Sequence, residues 1–181
     1  MFVSTRESIA RRSVRRKRKN RTRDRHVNNF STSKSIGIYF ETTSTESFKR
    51  IREFSKELEK SKIKTRILGF VDAEEIPSDM SLWDNCQIII PKDLDLFFRP
   101  RMEQVEKFIE KDFDILIDLS LEDSTPGYFI CSLSLAHFKV GRFRESENDI
   151  DLMINIDQDR SVEFLMGQIR TYVAMLNQKN N

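Results

Sequence analysis

From Ile36 to Leu176 the chain alternates short apolar runs with apolar stripes of helical period, and this alternation limits what the segment can become. Ile36 to Phe40, Lys64 to Val71, Cys86 to Ile90, Phe138 to Phe143 and Leu152 to Ile156 have the length and residue types of strands. The strongest strand pattern is Asp112 to Ser120. There Phe113, Ile115, Ile117 and Leu119 share one face, and Asp114, Leu116, Asp118 and Ser120 share the other. Phe48, Ile51, Phe54 and Leu58 mark a helix reaching Ser61, and Met102, Val105, Phe108 and Ile109 mark a second. Val162, Leu165, Ile169, Tyr172, Val173 and Leu176 form the stripe of a last helix. Thr125 is expected to cap a further helix, with Pro126 at its first position. That helix, Gly127 to Ala136, is apolar nearly all round and is expected to be buried. Strands alternating with helices imply an α/β chain, a three-layer Rossmann-like sandwich with a mostly parallel sheet and right-handed crossovers.

A different kind of segment precedes this body. Residues 1–30 hold eleven Lys or Arg against Glu7 and Asp24, a local charge of +9 in a chain whose total is +2, so residues 31–181 carry −7. We divide the chain into a basic arm and linker, 1–34, and the α/β domain, 35–181, with Ser31 to Ser35 as a polar connection. Phe2, Val3, Ile9 and Val14 are the large apolar residues before Val27, a stripe expected to be too thin to dock firmly on a core. No residue from Met1 to Lys19 breaks a helix. The expectation is a helix from Thr5 to Lys19 once phosphates remove its self-repulsion, continuing as an extended basic strand to Phe30.

Arg6, Arg11, Arg12, Arg15, Arg16, Lys17, Arg18, Lys19, Arg21, Arg23 and Arg25 are the expected RNA-binding residues. Nine are Arg, whose planar fork suits bidentate phosphate contacts and stacking on bases. About six phosphate contacts correspond to a log–log salt slope near −4 to −5. A solvated tail of weak affinity, a membrane-surface helix and an organellar transit segment are the other readings of such an arm.

The body shows no convincing catalytic set. The first strand-to-helix turn, Glu41 to Thr45, has no glycine with which a backbone could approach a phosphate. Glu41 to Ser44, Asp118, Ser120 and Ser124 to Gly127 lie where ligands of parallel sheets bind. Asp118 and Ser120 nevertheless lack a His or Lys placed to complete a relay, and Asp118 is expected to bond a neighbouring loop. Cys131 inside the apolar helix is expected to be inert, and His137 to cap that helix. The Phe97-Phe98 pair is expected to plug the core. Cys86 and Cys131 have no paired spacing and are read as reduced, structural thiols of a cytoplasmic protein. His26 and His137 give no zinc-ligand spacing, so neither a metal nor a cofactor is expected. No apolar run approaches the roughly 20 residues of a membrane span, and no secretory signal opens the chain.

The stretch Phe113 to Leu119, followed by a buried helix and then Ala136 to Phe143, resembles the N-terminal, acceptor-side Rossmann half of heptosyltransferase-type glycosyltransferases. The order and length of the chain also resemble a family of uncharacterised small bacterial proteins with a basic N-terminus. The first resemblance implies a Rossmann core. Those enzymes carry a Gly-Asp pair in the first strand-to-helix turn, where this chain has Glu41-Thr42-Thr43, and they need a second domain. The expectation is therefore a non-enzymatic, ribosome-associated RNA-binding protein whose arm contacts rRNA while the body docks on ribosomal or other proteins. A degenerate or partner-dependent glycosyltransferase-like protein and a membrane-surface adaptor are the alternatives.

Overall fold

The computed structural model describes residues 5–81, 83–101 and 103–176. Among the described residues six α-helices and six strands follow in order: α1 (Thr5–Lys19), β1 (Ser35–Glu41), α2 (Thr45–Lys60), β2 (Lys64–Phe70), α3 (Ser78–Ser81), β3 (Cys86–Ile89), α4 (Glu103–Ile109), β4 (Ile115–Asp118), α5 (Thr125–Leu133), β5 (Phe138–Arg142), β6 (Leu152–Ile154) and α6 (Val162–Met175). The strands form one sheet in the order β3-β2-β1-β4-β5-β6, and every pairing is parallel. This is a Rossmann-like three-layer sandwich.

Period-two alternation decides the layers. Ile36, Ile38, Phe40, Ile115 and Ile117 face a core with Phe48, Ile51 and Phe54 of α2 and Leu165, Ile169 and Val173 of α6. Tyr39, Leu68, Ile89 and Leu116 face the opposite core, with Val105 and Phe108 of α4 and Tyr128 to Cys131 of α5. A sheet covered on both faces reads as near-continuous apolar strands, which is why its pattern stood out in the sequence.

The helix termini depart in small ways from expectation. Ser124, not Thr125, caps α5: its hydroxyl accepts from the Gly127 N–H at 2.9 Å, which moves Pro126 to the second helical position. The helix ends at Leu133, so His137 lies beyond it and does not cap it. Phe97 and Phe98 do not plug the core. The Asp95 carboxylate accepts from the Phe97 and Arg99 amides at 2.8 and 3.0 Å, and this tight turn puts Phe98 at φ 58° on the surface. Tyr172 also faces solvent. Met102, expected in the α4 stripe, lies outside the described residues.

The largest correction concerns the arm. The stripe judged too thin to dock does dock: α1 packs on α5 with Ala10 and Val14 fully buried. The reason lies in α5, every residue of which is buried. A helix that is apolar all round needs cover on both sides. The sheet supplies one side and α1 the other. The segment after α1 is pinned as well. Arg21 donates to the Leu133 carbonyl at 3.0 Å, the Asn28 amide to the Asp114 carbonyl at 3.0 Å, and the Asn29 amide to the Leu176 carbonyl at 2.7 Å. The expected linker is held in the same way, because the Asp114 carboxylate accepts from the Lys34 and Ser35 amides at 2.7 and 2.9 Å.

Burying Val14 contributes about 1.5–3 kcal/mol, and an unpaired carboxylate at that position costs more than this. Val14→Asp is therefore expected to release α1. Limited trypsin digestion checks it: cleavage between Arg11 and Lys19 should be slow in the parent chain and at least tenfold faster in the variant.

Candidate nucleic-acid interface

Helical period sorts the arm's cations into those facing the body and those facing away. Inward, the Arg11 guanidinium lies 4.7 Å from the Tyr128 ring centre and Lys17 Nζ lies 5.5 Å from that of Phe129, so cations roof the aromatic surface of α5. Arg15 and Arg18 pair with Glu147 at 2.6 and 2.8 Å. Arg21 reaches Glu110 at 3.5 Å. Arg23 forms a two-pronged bond to Asp151 at 2.6 and 2.7 Å and also donates to the Ala136 carbonyl at 3.2 Å. Its side chain is only 6% exposed. Arg25 bonds Asp149 and stands 3.6 Å from Asp151.

Apart from Glu110, these acids occupy one loop, Arg144 to Asp151, where Glu145, Glu147, Asp149 and Asp151 recur at every second residue. Three of the four meet the arm. Behind them sits Lys139, fully buried, its ammonium donating to the Cys131 carbonyl and to Asp149, both at 2.7 Å. Burial lowers its pKa to about 8, although Asp149 acts in the opposite sense. Arg18, Arg21, Arg23 and Arg25 also line a polar cavity of about 410 Å³ beside the end of α5.

Four expected residues are left over. The side chains of Arg6, Arg12, Arg16 and Lys19 are exposed and make no ion pair, hydrogen bond or ring contact among the described residues. Arg12, Arg16 and Lys19 follow an i, i+4, i+7 spacing on the face opposite Ala10 and Val14. They form a cationic ridge on a helix already held in place. The sequence identified the eleven cations, but seven of them meet groups of the chain itself. The alternating acids of residues 145–151 were the signal for that, legible only with the two stretches set side by side.

The other candidate region lies between β1 and β4, where the strand order reverses and parallel sheets commonly bind ligands. Here the chain fills its own crevice. Glu41 at the end of β1 accepts from the Tyr39 hydroxyl at 2.5 Å and from the Ser124 hydroxyl. A Cβ on Gly127 would stand 2.7 Å from Glu41 Oε1, so this carboxylate rests against the first turn of α5, the place that favours an anion. Asp118, fully buried, accepts from the Ser120 amide at 3.0 Å and the Cys131 thiol at 3.4 Å, and pairs with Arg144 at 2.7 Å. Arg144 lies in the neighbouring loop, the kind of partner expected for Asp118. Thr42 and Ser44 serve the turn into α2: the Thr42 hydroxyl accepts from the Ser44 amide at 3.0 Å, and Ser44 caps the helix. The cavity left beside Arg144, Ser124 and Tyr128 holds about 10 Å³, at the lower limit for a single water. Burial drives the Tyr39 and Cys131 pKa values well above their ordinary values, so both keep their protons. Both cysteines are free, and burial raises Cys86 to about 12.

Fold and surface together define a Rossmann-like α/β protein with a basic N-terminal helix docked on its second helical layer. Residues 6–176 match the family of unknown function DUF6913, a span that takes in the basic helix and the α/β body, and the chain belongs to that family. No match is found among curated proteins or among solved structures.

Burial also raises the Glu41 carboxyl above its ordinary 4.5, against the Ser124 and Tyr39 hydroxyls that favour its charge. A carboxyl with a raised native pKa binds its proton more tightly folded than unfolded. Its contribution is fully present below the unfolded value and is lost as pH rises through the native one. Glu41→Gln retains an oxygen for both hydroxyls and removes the buried charge. It is expected to exceed the parent in stability at pH 7 and to match it near pH 4, as measured by urea unfolding across that range.

Proposed function

We propose that this protein is a non-enzymatic RNA-binding protein that presents the outer face of α1 to phosphates. The observation that carries this reading is the ridge of Arg12, Arg16 and Lys19, exposed and without an acid partner among the described residues. A helix already docked loses little conformational freedom on binding, so its charges are preorganised. Arg6 adds a fourth exposed cation at the N-terminal end, one turn before Ala10 and to the side of this ridge. Four phosphate contacts correspond to a log–log salt slope of about −3, shallower than an arm that offered all eleven cations. The acid-bearing remainder keeps the polyanion to one side of the molecule and leaves the other faces for protein neighbours. On this reading the body docks on a ribonucleoprotein such as the ribosome while the ridge follows an rRNA backbone.

The glycosyltransferase-like alternative asks for a nucleotide-sized space beyond β1 and β4, where the cavity is about 10 Å³. A membrane-surface role asks for an outward apolar stripe on α1, whereas Ala10 and Val14 are turned inward. The RNA reading therefore has the most support.

Arg12→Ala/Arg16→Ala/Lys19→Ala removes the ridge without touching a buried group. It is expected to lower affinity for a structured RNA at least tenfold in a fluorescence anisotropy titration and to flatten the salt slope from about −3 to about −1. Co-sedimentation with ribosomes at low salt should fall in parallel while thermal stability is kept. Unchanged RNA affinity would count against the proposal.

A further inference from the structure

Both histidines of the chain meet at the seam between the arm and the body, although 111 positions separate them. His26 Nε2 lies 2.9 Å from His137 Nδ1, with ring centres 4.1 Å apart and planes inclined by 51°. Two imidazole nitrogens at this separation can share one proton or one metal ion. Asp24 adds a third donor. Its carboxylate stands 3.8 Å from Nδ1, the other nitrogen of His26, and one ligand atom from each of Asp24, His26 and His137 lies within 4.8 Å of the others, so the exposed Asp24 side chain must swing towards Nε2 to share an ion there.

A fourth residue sets the tautomer. Asp112 Oδ1 lies 2.5 Å from His137 Nε2, which directs the proton of that ring towards the carboxylate and turns the Nδ1 lone pair towards His26. A carboxylate behind a histidine in this manner orients metal-ligating imidazoles and raises their basicity. The His137 backbone is fixed too, donating from its amide to the Phe113 carbonyl at 2.8 Å.

We propose that Asp24, His26 and His137 form a site for a divalent transition-metal ion of the zinc class, with Asp112 supporting His137 from behind. Tetrahedral zinc about 2.0–2.1 Å from each nitrogen sets the two nitrogens about 3.3 Å apart, so the rings must separate by about 0.4 Å. His26, with 46% of its side chain exposed, is free to make that adjustment. Imidazole donors favour zinc, cobalt or nickel over magnesium and calcium. Three protein ligands leave a fourth position for water. Two ligands come from the arm and one from the connection between α5 and β5, so the ion joins the two and binds the docked arrangement in preference to the released one. The site uses none of the ridge cations and is independent of the RNA reading.

The experiment takes the full chain, stripped with a chelator, and titrates it with Co²⁺ followed by visible absorption, then displaces cobalt with Zn²⁺. The expected result is one ion per chain with absorption of tetrahedral type, and a higher melting temperature in Zn²⁺. His26→Ala and His137→Ala should each weaken binding at least 100-fold, and Asp112→Asn by about 10–100-fold. Melting of each metal-free variant, expected to match the metal-free parent, shows that the fold persists. No saturable Co²⁺ or Zn²⁺ binding by the parent would overturn the proposal, as would undiminished binding by the His26→Ala/His137→Ala double variant.

Discussion

The arrangement depends on a charge network that the α/β body cannot complete alone. Lys139 is fully buried, and Asp149 is the acid that balances it. Asp149 and its neighbour Asp151 then require cations of their own, which Arg23 and Arg25 bring from the other end of the chain. Magnitudes decide which of these pairs matters. An exposed pair such as Arg15 with Glu147 contributes about 0–1 kcal/mol. Removing one partner from a buried pair costs about 3–5 kcal/mol, and Arg23 is the buried cation among the arm's ion pairs described above. The seam at Arg23 therefore sets where the arm lies, while the outer pairs adjust its course.

Docking divides the cations between two tasks. Those facing the body screen its acidic loop and roof the aromatic rings of α5. Those facing away retain uncompensated charge on a rigid support. The crevice in the middle of the sheet, where related architectures hold nucleotides, is occupied by Glu41 and by the Asp118–Arg144 pair. Both interior features direct interest to the surface of α1.

Most of the fold was legible in the sequence because a sheet buried on both faces leaves dense apolar runs. Ile36 to Phe40 and Phe113 to Leu119 read clearly as strands, while their pairing side by side is seen only in the structure. The arm was legible as a helix from Thr5 to Lys19, but not as a docked one. Its docking rests on one alanine and one valine, too little apolar content to register as a stripe, and on ion pairs between residues far apart in the chain, such as Arg18 with Glu147 and Arg23 with Asp151. The one local clue was α5, whose apolar surface on every side asked for a second cover. His26 and His137 were invisible as a pair for the same reason of distance.

The central claim is that α1 belongs to the folded structure before any polyanion arrives. Amide hydrogen exchange of the free protein, followed by peptide and read across residues 5–25, tests it most directly. The account predicts that the amides around Ala10 and Val14 exchange slowly without RNA and that adding RNA changes their protection little. Exchange of α1 at the rate of an unfolded segment, slowing only when RNA is supplied, would contradict it.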